Sequence, residues 1–206
     1  MVWTRSSPGR PLSGELAWAY LAVLDVALVA KSENDLLVAA VRANDRIVDR
    51  RLQFRFRQVL ASPPSVDRWV WWLQARAKPR PVWMHSAVAN RLGEDKRVRV
   101  GAEPAAAAAQ IGVGGGVGGR GAYYVDQPDV AGLVDELHAK DDPFGPVLLM
   151  MLPNNVPQDF RPRSGQPVRP AAALVDLLGS PDSRSHDQAH RLLSDAAHRA
   201  ATLELK

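Results

Sequence analysis

Residues 15–30 read ELAWAYLAVLDVALVA, and the fold turns on what this apolar run is. Arg5 and Arg10 precede it, as the basic flank of a signal peptide would. Asp25 interrupts it, and a carboxylate at a bilayer centre costs ~2.5–3.5 kcal/mol. At about 100° per residue, Leu16, Tyr20, Val23 and Ala27 share one stripe, while Asp25 lies about 180° from Leu16. The run therefore reads as an amphipathic helix of a soluble protein, from about Gly14 to Lys31, and a membrane is not expected as a partner.

The dozen residues before the helix, MVWTRSSPGRPL, are rich in Pro, Ser and Arg and read as poorly ordered unless they dock. After it, Ser32, Asn34 and Asp35 supply turn and N-cap chemistry for a second helical run. The apolar positions of that run are Leu37, Val41, Val48, Leu52 and Leu60, and Pro63-Pro64 ends it. A short third helix, VDRWVWWLQARAK, groups Val66, Trp69, Val70 and Leu73 before Pro79 and Pro81. Beyond lie a short helix from about Ser86 to Leu92, a strand at 97–100 and an alanine-rich helix at 103–111. Strands at AYYVD (122–126) and PVLLMML (146–152) follow, with DVAGLVDELHA helical between them. A proline-punctuated connector, 153–167, leads to two closing helices, PAAALVDLL and a longer one from near Ser185 to Leu203. The expected class is α+β and helix-dominated. Residues 1–78 form a basic helical N-terminal half, and 79–206 form a small mixed α/β domain.

Charge separates the same two segments. Residues 1–78 carry 12 Lys/Arg against 7 Asp/Glu, and 79–206 carry 14 against 15, so the net +4 arises wholly in the first part. Such asymmetry points to an anionic partner there. Cysteine is absent, which excludes thiol catalysis, disulfides and cysteine-based zinc sites and fits a reducing, cytoplasmic location.

The densest charge feature is RANDRIVDRRLQFRFR, 42–57, with six arginines and two aspartates. On one continuous helix Arg42, Arg46 and Arg50 share a face, with Asp45 and Asp49 in pairing range. The pattern reads either as a solvated face of local ion pairs or as a phosphate-contacting surface, whose contacts would be Arg46, Arg50 and Arg55. Trp69, Trp71 and Trp72 cannot all face one way on a helix, so Trp71 and Trp72 are candidates for a partner surface as well as for the core. His186 and His190 stand at i, i+4 without the glutamate of a zinc motif, so they read as a solvated helix face, and no metal is expected. No nucleophile elbow or Ser-His-Asp grouping is present, and catalytic residues are unassigned.

The glycine-rich stretch IGVGGGVGGRGAYYV, 111–125, twice satisfies G-x-G-x-x-G. A dinucleotide fingerprint needs strand, glycines, then helix, whereas here a helix precedes and a strand follows. The lysine of a phosphate-binding P-loop is missing as well. Two readings stay open: a helix-to-strand connector, or a kinase-like glycine hairpin in which Gly114, Gly116, Gly118, Gly119, Arg120 and Gly121 cradle ATP with magnesium. No HRD or DFG pattern accompanies the second.

Residues 80–195 resemble the C-terminal region of actinobacterial AbiEi-type antitoxins, the antidote members of type IV toxin–antitoxin pairs. The likeness rests on VWMHSAVANRLGEDKRVRVGAEPAAAA, AYYVD, VLLMMLP and above all VRPAAALVDLLGSPDSRSHDQAHRLL. Within the last of these, Pro170, Asp176, Leu177, Leu178, Asp182, Arg184, Ala189 and Leu193 fall in the family's arrangement. The resemblance implies an antidote to a nucleotidyltransferase toxin and, in many relatives, a repressor binding promoter DNA through an N-terminal winged helix. The first 78 residues depart from that winged-helix pattern, and the arginine run is the only local substitute. The competing expectation is an atypical serine/threonine phosphotransferase that inactivates the toxin by phosphorylating it.

Overall fold

The structure is a computed structural model describing residues 10–89, 91–102, 121–179 and 182–203. Three helices open it: α1 (Gly14–Val29), α2 (Glu33–Arg46) and α3 (Arg50–Ala61). A fourth, α4 (Trp69–Trp72), lies between single 3-10 turns at Val66–Arg68 and Gln74–Arg76. Then come β1 (Lys78–Trp83), α5 (Ser86–Ala89), β2 (Val98–Val100), β3 (Gly121–Asp126), α6 (Val130–Glu136), β4 (Lys140–Asp141) and β5 (Val147–Leu152). The helices α7 (Pro170–Leu177) and α8 (Ser183–Ala201) close the chain. The protein is a helix-dominated α+β fold whose first part is helical. The expected alanine-rich helix and most of the glycine stretch lie outside the described residues.

Ser13 starts α1 by accepting a hydrogen bond from the Leu16 amide at 3.5 Å. The helix is not amphipathic. Leu16, Trp18, Ala19, Tyr20, Leu21, Val23, Leu24 and Ala27 are all buried, because α2, α7 and α8 pack around it. An apolar run that looks long enough for a bilayer is here the axis of the helical layer. None of the helices among the described residues is long and apolar enough to cross a membrane. Asp25, expected on a wet face, lies between α1 and the start of α7. There its Oδ1 accepts from the Ala171 amide at 2.7 Å.

The helical run expected over residues 34–60 is two helices. Ser32 caps α2, accepting from the Asp35 amide at 3.2 Å. The chain then breaks at Ile47–Asp49, where Asp49 caps α3 by accepting from Arg51 N at 2.7 Å. The buried row of α2 is Leu36, Ala40 and Ala43, continued by Ile47, and on α3 it is Phe56 and Leu60. Leu37, Val41 and Val48, the row expected in the core, are exposed instead.

The five-stranded sheet has the order β2-β3-β5-β1-β4; β3 and β5 are parallel and the other pairs antiparallel. Strand β1 contains Pro79 and Pro81, which a central strand seldom tolerates. The Pro81 carbonyl accepts from Asp142 N at 3.2 Å on the β4 side, so the missing proline N–H groups fall away from β5 and cost that ladder nothing. The turn before β5 passes so close to β1 that a Cβ on Gly145 would lie 2.2 Å from the Val82 carbonyl oxygen.

Alternation along β5 shows the layers. Met150 and Leu152 face a large core shared with the opening and closing helices, whereas Val147 and Leu149 face a smaller one with Val130 and Leu133 of α6. The large core draws on Leu12–Ala77 and on Ala122–Ala200 alike, so packing does not follow the 78/79 boundary. The outer edge of β2 is covered by the chain between β5 and α7, through Gly165 N to Val98 O at 3.2 Å and Val168 N to Val100 O at 2.8 Å.

Candidate functional site

Three places hold side chains suited to recognition or chemistry, and the first is the outer face of α2 and α3. The chain break at Ile47–Asp49 means that Arg42, Arg46 and Arg50 do not share one helix face. Arg46 is exposed and pairs with Asp159 at 3.0 Å, and Arg50 is exposed at the first turn of α3. Arg55 is partly buried, its Nη2 donating to the Arg10 carbonyl at 2.6 Å and the Pro11 carbonyl at 3.0 Å, so it fastens the chain start. What the two helices present together is apolar as well as basic. Val38, Val41, Val48 (92% exposed) and Phe54 (60% exposed) are exposed on this stretch, as are Arg42, Arg50 and Arg51. Thus α2 carries two apolar rows, one against α1 and one facing water.

Of the two tryptophans expected at a partner surface, only Trp71 is exposed, beside exposed Val70. Trp72 is buried edge-on to Tyr20 with ring centroids 5.3 Å apart, because α4 is a single turn whose inner side holds both Trp69 and Trp72.

The second place is a buried polar junction with no local signal in the sequence. Arg76 Nη2 donates to Asp176 Oδ1 at 2.9 Å, and the Tyr124 hydroxyl donates to the same oxygen at 2.8 Å. Arg76 Nε reaches the Tyr124 hydroxyl at 3.3 Å, and the Arg76 carbonyl accepts from Trp18 Nε1 at 2.7 Å. Burial works against the Arg76 charge, yet Tyr124 and Asp176 outweigh it and hold the guanidinium above its ordinary pKa. The Tyr124 hydroxyl is pushed up, first by burial and then by the Asp176 carboxylate. The Asp176 carboxylate thus ties the turn after α4, β3 and α7 together, and the Arg76 carbonyl adds α1. A companion cluster sits at the end of β3, where Asp126 accepts from Arg99 Nη2 at 2.7 Å and Arg161 Nη1 at 2.6 Å. These charges meet one another and backbone carbonyls, an arrangement that fixes structure.

The signature residues of the closing helices do the same. Pro170 opens α7, Asp182 caps α8 by accepting from Ser185 N at 2.9 Å, and Leu177, Leu178, Ala189 and Leu193 are buried. His186 Nδ1 lies 2.9 Å from the Leu178 carbonyl and His190 Nε2 lies 3.1 Å from Asp67 Oδ1. The two rings therefore turn to different partners, and no metal-holding cluster occurs among the described residues.

The third place is a groove of about 640 Å³ at one end of the sheet. Trp83 ends β1 there, while Gly121 and Val147 begin β3 and β5. Met84, His85, Ser86, Ala89, Tyr123 and Pro146 complete the wall. Gly121 is the one residue of the expected glycine cradle that is described; Gly114, Gly116, Gly118, Gly119 and Arg120 lie outside. Because β2 and β3 pair antiparallel, residues 101–120 join two neighbouring strands.

The fold and these surfaces define a mixed α+β protein with charge locked inside and an apolar, basic face outside. No family model, curated protein or solved structure matches the chain.

Proposed function

We propose that this protein is a cytoplasmic antidote of the type IV kind, neutralising a nucleotidyltransferase toxin by binding, with the outer face of α2 and α3 as its contact surface. The observation that carries the binding role is the second apolar row of α2. Val38 and Val41 on α2 are exposed, as are Val48, Phe54 and the arginines Arg42, Arg50 and Arg51. Exposed apolar groups rimmed by Arg are what a protein interface uses. The nature of the partner comes from the resemblance over residues 80–195. Co-expression with a type IV nucleotidyltransferase toxin tests the proposal: growth is rescued by the native chain and not by Val41→Asp/Phe54→Asp. Absence of rescue by the native chain refutes the antidote role.

One observation favours a second reading, in which the protein is a phosphotransferase using ATP and magnesium. The glycine-rich segment connects two paired antiparallel strands, the position a kinase-like glycine loop occupies. If so, replacing Gly116, Gly118 and Gly119 by alanine abolishes both protection and phosphate incorporation into the toxin. Protection without phosphate on the toxin eliminates this reading. Operon repression through Arg46 and Arg50, with Arg55 engaged at the chain start, would show as promoter affinity falling steeply with salt.

A further inference from the structure

We propose that the first turn of α7 is a proton-controlled joint: Asp25 caps it from α1, and ionisation of Asp25 eases the turn open. This goes beyond the antidote reading and does not depend on it. A helix start needs acceptors for its first amides, and α7 brings no side-chain acceptor of its own. Arg169 sits at its N-cap position without a side-chain bond to the helix, and Pro170 follows without an N–H. The Ala171 amide is satisfied instead by Asp25 Oδ1 at 2.7 Å, an acceptor 146 positions away.

The capping carboxyl is poorly placed to carry charge. Its Oδ2 is sealed from water and receives no hydrogen bond. Arg169 Nη1, 3.5 Å from that oxygen, is the charge that faces it. Other charges packed near α1 reach other partners. Arg199 of α8 donates to the Ala27 and Ala30 carbonyls, and Arg46 of α2 pairs with Asp159. Arg55 of α3 holds the Arg10 and Pro11 carbonyls, and Arg76 holds Asp176. Burial therefore outweighs the Ala171 amide and Arg169, and the Asp25 carboxyl is raised to about 7.

The direction follows from where the proton goes. Closed, the joint keeps the Asp25 proton up to about pH 7; opened, with Asp25 in water, the carboxyl releases it near its ordinary value of 3.8. Opening thus expels one proton to solvent and becomes easier as pH rises, roughly tenfold per unit between about pH 5 and pH 6.5, levelling above about pH 7. The moving part is short. Before it, Val168 N is bonded to Val100 O at 2.8 Å, and at the far end of α7 Asp176 is held by Arg76 and Tyr124. The first turn can therefore open while the sheet and the junction stay closed.

Amide hydrogen exchange of the full chain from about pH 5 to about pH 8, corrected for the intrinsic pH dependence of exchange, tests this. Protection at the Ala171 and Ala173 amides should stay well below that of β5 and fall roughly tenfold per unit until it levels near about pH 7. Asp25→Asn, which keeps an acceptor oxygen for Ala171, should make the profile flat. Arg169→Gln removes the charge that favours ionisation, so the level region should begin at higher pH, a shift that mere loosening would not cause. Carbon-13 NMR of the Asp25 carboxyl reads the proton directly and needs no variant. A carboxyl titrating near its ordinary value, first-turn amides as protected as those of β5, a flat native profile, the native slope in Asp25→Asn, or an unmoved level region in Arg169→Gln each overturns the proposal.

Discussion

Arg76 and Arg50 are both charged helix-region arginines of the first 78 residues, yet they live in opposite surroundings. Arg76 is 6% exposed, with its guanidinium shared between Asp176, Tyr124 and the Leu73 carbonyl. Arg50 stands in water beside exposed valines and a phenylalanine. In the junction, burial makes every contact expensive to lose, because an unpaired charge there has no solvent to turn to. On the α2–α3 face the same residue type contributes little to folding and is free to serve a partner. The positive excess of the first part is therefore two populations, one spent on architecture and one left outside.

That contrast breaks most directly at Asp176. Asp176→Ala strands the buried Arg76 charge and is expected to cost about 3–5 kcal/mol, a fall in Tm of roughly 10 °C for a chain of this size. A melt within a degree or two of native would mean that the junction is no anchor. Arg199 comes next: its guanidinium donates to the Ala27 and Ala30 carbonyls at the end of α1, where no other basic side chain closes the last turn. Arg199→Ala should cost about 2 kcal/mol, measured by urea denaturation.

Asp25 gives a pH signature. Burial pushes its carboxyl up to about 7, against the lowering pull of the Ala171 amide and Arg169. The folded state then holds a proton that the unfolded chain releases near the ordinary carboxylate pKa, so this group's effect on stability becomes steadily less favourable as pH rises from about 4 to about 7 and is constant above. Asp25→Asn should flatten the decline of Tm between pH 5 and pH 8; parallel curves for the two proteins would remove the carboxylate from the account. The smallest stability effect is expected outside. Val41→Asp and Phe54→Asp should each shift stability by less than about 0.5 kcal/mol while toxin neutralisation is lost, and a large loss of stability would show that the face belongs to the fold.

Much of the fold is legible in local pattern. AYYVD and VLLMML alternate between two cores and are strands, and the closing helices carry their caps in plain view at Pro170 and Asp182. β1 is hidden because KPRPVW contains two prolines, and only the shortness of β4 makes them tolerable. The division of α2 from α3 has a signal, Asp49 as N-cap ahead of a fresh turn, which the continuous arginine spacing obscures. Choosing between the two apolar rows of α2 needs the position of α1, which no residue within α2 encodes. The candidate sites are less legible still. Arg76 and Asp176 stand 100 positions apart, and the groove gathers residues from three strand ends that only the sheet order brings side by side.

The placement of α1 bears on how the protein comes to exist. It leaves the ribosome well before α7 and α8, which help to enclose it. In that interval a nearly uninterrupted oily rod awaits its shell. Its burial is completed only once α8 has been made.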